Sequence, residues 1–145
     1  MGQTAGHSDQ NSAPAGRLGL LPGQIVQELG WDEDCDDDLR ADIEDLTGHE
    51  LIDDQAGEVA DVVLLWWRDG DGDLVDALIA AGTDLTEGGA VWLLTPKVGR
   101  DGHVDPADVA DAAPTAGLST TTTLSVAPEW SGTKLVAPKS ERSRR

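Results

Sequence analysis

The residues able to do chemistry collect at the ends of apolar runs. Arg68 and Asp69 follow the run Ala60–Trp67, and Thr95 and Lys97 follow the run Ala90–Leu94. Glu129, Trp130 and Ser131 separate two Thr/Val-rich stretches. If these residues and Trp67 share one sheet edge, they bring two cations, two acids, two hydroxyls and two indole rings to one crevice. Apolar walls with a few convergent polar groups are what a ligand or partner site needs. The plainer alternative is a solvated loop rim with Lys97 paired to an acid, an arrangement that contributes little.

Other chemical signals fail at the positions that matter. Asp69-Gly70-Asp71-Gly72-Asp73 imitates the start of a calcium loop, but Leu74 and Ala80 occupy the places that need glycine and glutamate. It reads as a loop and helix cap. The run Asp32–Asp38 reads as a solvated acidic surface. His7, His49 and His103 are scattered and predict no metal site. Cys35 lies between Asp34 and Asp36, which disfavour its thiolate, and a single cysteine excludes an internal disulfide. Ser131 lacks a nucleophile-elbow context. No catalytic residue, metal or cofactor is assigned.

The crevice depends on the elements that carry it. Ala60–Trp67 and Ala90–Leu94 are short buried strands. Between them lies a helix over Asp73–Leu85, with Leu74, Val75, Leu78, Ile79, Gly82 and Leu85 as its apolar stripe and Asp71 as a candidate N-cap. That is a βαβ unit, so its strands are parallel. Ligands of such sheets sit at the carboxyl ends of the strands. Upstream, Gln24–Leu29 reads as a strand. Leu39, Ile43 and Leu46 mark a helix that Gly48 ends, and Glu50–Asp53 is a candidate short strand. Downstream, Asp105-Pro106 opens a helix reaching about Ala113. Ser119–Ala127 and Gly132–Ala137 form a hairpin. Adjacent strand residues face opposite ways, so Trp66 and Trp67 require a sheet covered on both sides.

With 145 residues the chain supports one domain over 18–137, between a polar tail at 1–17 and a basic tail at 138–145. The net charge is −18, although the last eight residues are basic, and such a surface repels nucleic acid and anionic lipid. No run is long enough to span a membrane, and the start lacks an apolar signal core. A cytoplasmic location follows as the expectation.

Leu20–Gly30 resembles the opening of a Rossmann-type S-adenosylmethionine methyltransferase, where a strand enters an acidic-x-Gly-x-Gly loop beneath the cofactor. Ala60–Leu64 is similar to the fourth strand of that fold, Leu85–Leu93 to its fifth, and the hairpin around Trp130 to its last two. The pattern departs at Glu28-Leu29-Gly30-Trp31-Asp32, where Asp32 replaces the second loop glycine, and the third strand with its helix is missing. Asp53 or Asp54 would stand for the acid that holds the cofactor's ribose. At closer range, Leu20–Gln24, Asp61–Leu65, Gly88–Lys97 and Trp130–Val136 resemble an uncharacterised actinobacterial family of unknown function.

The fold expected is therefore α/β. It is a small Rossmann-like, mainly parallel sheet of five or six strands ending in an antiparallel hairpin. The function expected is a non-enzymatic binding or regulatory module. Its partner surface is Trp67, Arg68, Asp69, Thr95, Lys97, Glu129, Trp130 and Ser131, with a protein segment favoured over a small molecule. One alternative is a minimal S-adenosylmethionine- or nucleotide-binding enzyme with a rebuilt loop. Another is an acidic decoy for a basic protein surface.

Overall fold

The computed structural model describes residues 14–53 and 55–137. The expectations for residues 1–13 and 138–145, and for Asp54, lie outside the described residues. Within them, Pro14–Arg17 is one helical turn, and Leu18 and Leu20 behind it are buried.

Strand β1 (Val26–Leu29) leads through helix α1 (Asp37–Thr47) to β2 (Ala60–Trp66). Helix α2 (Leu74–Ala81), β3 (Leu85–Pro96), helix α3 (Pro106–Thr115), β4 (Ser119–Ala127) and β5 (Trp130–Val136) follow. The sheet order is β1-β2-β3-β5-β4. β1 and β2 pair in parallel, as do β2 and β3, whereas β5 is antiparallel to both β3 and β4. The sheet is mixed, with β5 alone reversed.

Local chemistry sets the helix ends. Asp36 caps α1 by accepting from Leu39 N at 2.8 Å, and Gly48 ends it in the left-handed conformation at φ 81°. Asp105 caps α3 by accepting from Ala107 N, with Pro106 in the first turn. Helix α2 departs from expectation. Asp73, not Asp71, is its N-cap, accepting from Val75 N and Asp76 N. It stops at Ala81, because Gly82 is its C-cap and Leu85 pairs with Ala60 as the first residue of β3. The strand competes for that end of the stripe, and Ile79, counted in it, is 52% exposed. Gly88 and Gly89 lie in the β3 bulge opposite Asp61. A Cβ on Gly89 would stand 2.7 Å from the Asp61 carbonyl oxygen.

The expected strand Glu50–Asp53 is reduced to one parallel bridge between Ile52 and Gln27. That bridge explains the layering. Crossovers between parallel strands are right-handed. α1 leads outward from β1 to Ile52, while α2 leads inward from β2 to β3. Opposite directions put the helices on opposite faces. Accordingly Leu39 and Ile43 of α1 pack with Val62, Leu64, Trp66, Trp92 and Trp130. Leu78 of α2 and Val109 of α3 pack with Val63, Leu65, Trp67, Val91 and Leu93. Trp66 and Trp67 do face opposite ways. The direction changes between β1 and β2, so the topological switch point lies at the carboxyl ends of those two strands.

Candidate functional site

The switch point is built from the last residues of β1 and β2 and from the loop before α1. Glu28, its side chain 9% exposed, accepts from Arg40 Nε at 2.6 Å, Arg40 Nη2 at 3.0 Å and Trp66 Nε1 at 2.9 Å. Both its oxygens are engaged within the chain. This hydrogen bonding also raises the Arg40 pKa above its ordinary value. Gly30 follows at φ 78°, and a Cβ there would lie 2.3 Å from the Trp66 carbonyl oxygen. The β1 loop and the end of β2 are thus in backbone contact.

Arg68 closes the space above them. Its Nε and Nη2 donate to Asp34 Oδ2 at 3.0 Å and Oδ1 at 2.5 Å, the bidentate geometry of a strong pair. Nη1 donates to Gly30 O at 2.8 Å and faces Trp66 O and Asp71 Oδ2 at 3.4 Å. Nη2 also lies 3.3 Å from Cys35 Sγ. Every guanidinium nitrogen therefore has an acceptor inside the chain. The guanidinium carbon stands 5.3 Å from the centroid of the Trp130 ring. Trp130 packs edge-on to Trp66 at 4.8 Å and donates from Nε1 to Asp34 O.

The electrostatics follow from these contacts. The hydrogen bond from Arg68 holds the Asp34 carboxyl below the usual carboxylate range. Burial lowers the Arg68 pKa, but the bonds to Asp34 outweigh it and leave it raised. Burial pushes the Cys35 thiol up to about 11, against the weaker pull of the hydrogen bond from Asp32 N and of Arg68. A protonated, buried thiol is a poor nucleophile. Among the described residues no group of three or more His, Cys, Asp or Glu could hold a metal ion.

The eight residues singled out from sequence do not form one crevice. Arg68 and Trp130 meet on the α1 face. Trp67 is core on the opposite face, 9% exposed, so the two indoles are separated by the sheet. Trp130 and Ser131 are the first residues of β5 rather than a loop tip, and only Pro128-Glu129 separates the strands. Asp69 is exposed and held by its backbone to Gly102 O. Glu129 pairs with Arg100 at 2.7 Å, and only its carbonyl meets Lys97, through the Lys97 backbone N–H. Thr95 and Ser131 are register partners of β3 and β5 and line a separate groove of about 320 Å³. That groove also takes Thr120, Thr123 and Thr133 from the hairpin, and Val104, Pro106 and Val109 beside α3.

Sequence reasoning missed Asp34, which sits in an acidic run with nothing local to set it apart. It also missed His103, whose Nδ1 lies 2.9 Å from Pro96 O. A carbonyl only accepts, so Nδ1 donates to it. The cofactor that the acidic-x-Gly-x-Gly resemblance implies does not fit the residues found at this place. The loop acid is consumed by Arg40 and Trp66, the loop touches β2, and Arg68 fills the remaining space.

A family model described as "Protein of unknown function (DUF3052)" matches residues 15–139. An uncharacterized protein of Mycobacterium tuberculosis and one of Mycobacterium bovis are each 53% identical over 144 residues, covering 99% of this chain and 90% of theirs. Among solved structures, the mitomycin 7-O-methyltransferase MmcR is similar at TM-score 0.63 and 12% identity, covering 86% of this chain. This chain spans about half the length of that enzyme, 53% of it. The CcbJ methyltransferase of Streptomyces caelestis is similar at TM-score 0.55 and 13% identity, covering 90% of this chain and 95% of its own. At such identities the likeness is one of fold: a Rossmann-like α/β sheet.

Proposed function

The chain belongs to the DUF3052 family of proteins of unknown function, and from that premise we propose that it is a non-enzymatic binding module on a methyltransferase-like fold. The observation that carries this is the Arg68 plug. Where open α/β sheets bind their ligands, this chain places a guanidinium that is saturated by Asp34, Gly30, Trp66 and Asp71. A cofactor there would have to displace a bidentate ion pair and part the β1 loop from β2. The partner surface is the remaining carboxyl edge, around Thr95, Lys97, Glu129 and Ser131, and its occupant is a protein segment. A cytoplasmic location is part of the proposal, since a lone cysteine gains nothing from an oxidising compartment. Among the described residues no helix is long and apolar enough to cross a membrane.

The second reading is a minimal S-adenosylmethionine- or nucleotide-binding enzyme with a rebuilt loop, favoured by the likeness of fold. Thermal unfolding with S-adenosylmethionine, S-adenosylhomocysteine, nucleotides, nicotinamide cofactors and divalent metals separates the two. A ligand at 100 times its dissociation constant adds about 2.7 kcal/mol, several degrees in a domain of this size. The expected result is no shift. A clear shift with one cofactor would overturn the proposal in favour of the enzyme.

A further inference from the structure

Among the described residues three polar residues are buried: Gln27, Thr47 and Thr95. Gln27 donates to Asp53 O and Asp84 Oδ2. Thr47 donates to Ile43 O. Thr95, 9% exposed, has no hydrogen-bond partner for its hydroxyl among the described residues, yet it lines the groove between α3 and the β5–β4 hairpin. A polar group without a partner in the chain is left to water or to a ligand. The hydroxyl is not sealed in, since no side-chain polar atom is wholly enclosed without a partner. It opens into the groove.

The groove around it has a consistent chemistry. Thr95, Ser131, Thr133, Thr120 and Thr123 give hydroxyls from three adjacent strands. Pro96, Val98, Val104, Pro106, Val109 and Ala110 give an apolar wall. No Asp, Glu, Lys or Arg lines it, in a chain whose net charge is −18. His103, its Nδ1 held to Pro96 O, is the one His on its lining.

We propose that this groove binds an extended peptide segment of a partner protein, with small apolar side chains at its centre and basic residues at its flanks. The inference rests on the binding-module reading and gives that module its site and its occupant. Hydroxyls both donate and accept, so they match the alternating N–H and C=O groups of an extended backbone. The uncharged lining excludes a buried charge from the centre, because nothing there would pair with it. The field of the acidic chain favours a segment with cationic ends. A groove that runs across three strands suits a chain in extended form.

The test is a nuclear magnetic resonance titration of the full chain, labelled on amides and on Thr and Val methyls. The probe is a blocked peptide mixture with Lys at both ends and a degenerate centre of Ala, Val, Thr and Pro. Shifts are expected at Thr95, Ser131, Thr133, Val104 and Val109. Thr95→Val, which keeps shape and removes the hydroxyl, is expected to weaken them at least tenfold while leaving the unperturbed spectrum folded. The same mixture with Glu ends is expected to bind at least tenfold more weakly. Silence of the groove at millimolar peptide overturns the inference, as does binding indifferent to Thr95→Val. So do shifts confined to Asp36–Asp45, which report charge attraction alone, and a response to a neutral disaccharide with the peptide silent. A cofactor response that persists in Thr95→Val would instead sink the parent reading and leave the groove result standing.

Discussion

Arg68 at the end of β2 grips Asp34, in the loop before α1, through both carboxylate oxygens at 3.0 and 2.5 Å, with the Trp130 ring 5.3 Å from its guanidinium carbon. The pair ties together three segments far apart in sequence and closes the switch point. Its side chains are unequally buried, Arg68 14% and Asp34 53% exposed. The pair should therefore act mainly through what the guanidinium holds.

Arg68→Ala leaves the Gly30 carbonyl without its 2.8 Å donor and removes the cation from the Trp130 ring. Charged hydrogen bonds of this kind are worth about 2 kcal/mol, so Tm should fall by roughly 5–10 °C. Arg68→Lys should recover less than half of this, since an ammonium cannot make the bidentate contact. Calorimetry on the two variants decides it, and an unchanged Tm in Arg68→Ala would show that the plug does not hold the loop.

Gly30→Ala meets two obstacles at once: φ is 78°, and the new Cβ would stand 2.3 Å from the Trp66 carbonyl oxygen. A loss of about 3 kcal/mol or more is expected in urea unfolding. Gly19→Ala shares the positive φ, 79°, but meets nothing within 4 Å. It should cost only about 1 kcal/mol. Equal losses would mean that backbone conformation, not the contact with β2, requires glycine at position 30.

The pH dependence has a sign at each end. Asp34 has a lowered carboxyl pKa in the fold, chiefly from the Arg68 hydrogen bond. Its contribution is complete above the unfolded value of about 3.9 and is lost as pH falls through the lower folded value. Asp34→Asn should flatten the acid limb of stability below about pH 4. Cys35 has its thiol pushed up to about 11 by burial. Its contribution is complete below the unfolded value and is lost as pH rises toward 11. At pH 8 iodoacetamide should alkylate the native thiol about 100-fold more slowly than the unfolded chain, in line with their thiolate fractions. Fast alkylation of the folded chain would contradict this.

Thr95→Val removes a hydroxyl that opens into the groove and has no partner among the described residues. It should not destabilise the chain and should add up to about 1 kcal/mol. A stabilising change at a groove residue is what a site kept for binding predicts. A loss of 1 kcal/mol or more would show that the hydroxyl already has a structural role.

The sequence by itself determined what depends on neighbours along the chain. Alternation put Trp66 and Trp67 on opposite faces, because successive strand residues must point apart. Asp105 and Gly48 acted as caps through bonds that reach only a few residues. The strands Ala60–Trp66 and Ser119–Ala127 were legible from apolar and β-branched runs. Where local signals conflicted, pairing prevailed. Leu85 joined β3 rather than α2, since Ala60 supplied its ladder partner. The candidate site depended on the fold entirely. Asp34 and Arg68 are 34 residues apart, and Trp130 lies 96 from Asp34. Residue type named Arg68, Trp130, Thr95 and Ser131 as capable of chemistry. Only the packing of α1 on one face and α2 and α3 on the other decided that the first pair closes a crevice and the second opens one. Spacing along a chain carries no record of which face a distant side chain will reach, or of whether a partner waits for it there.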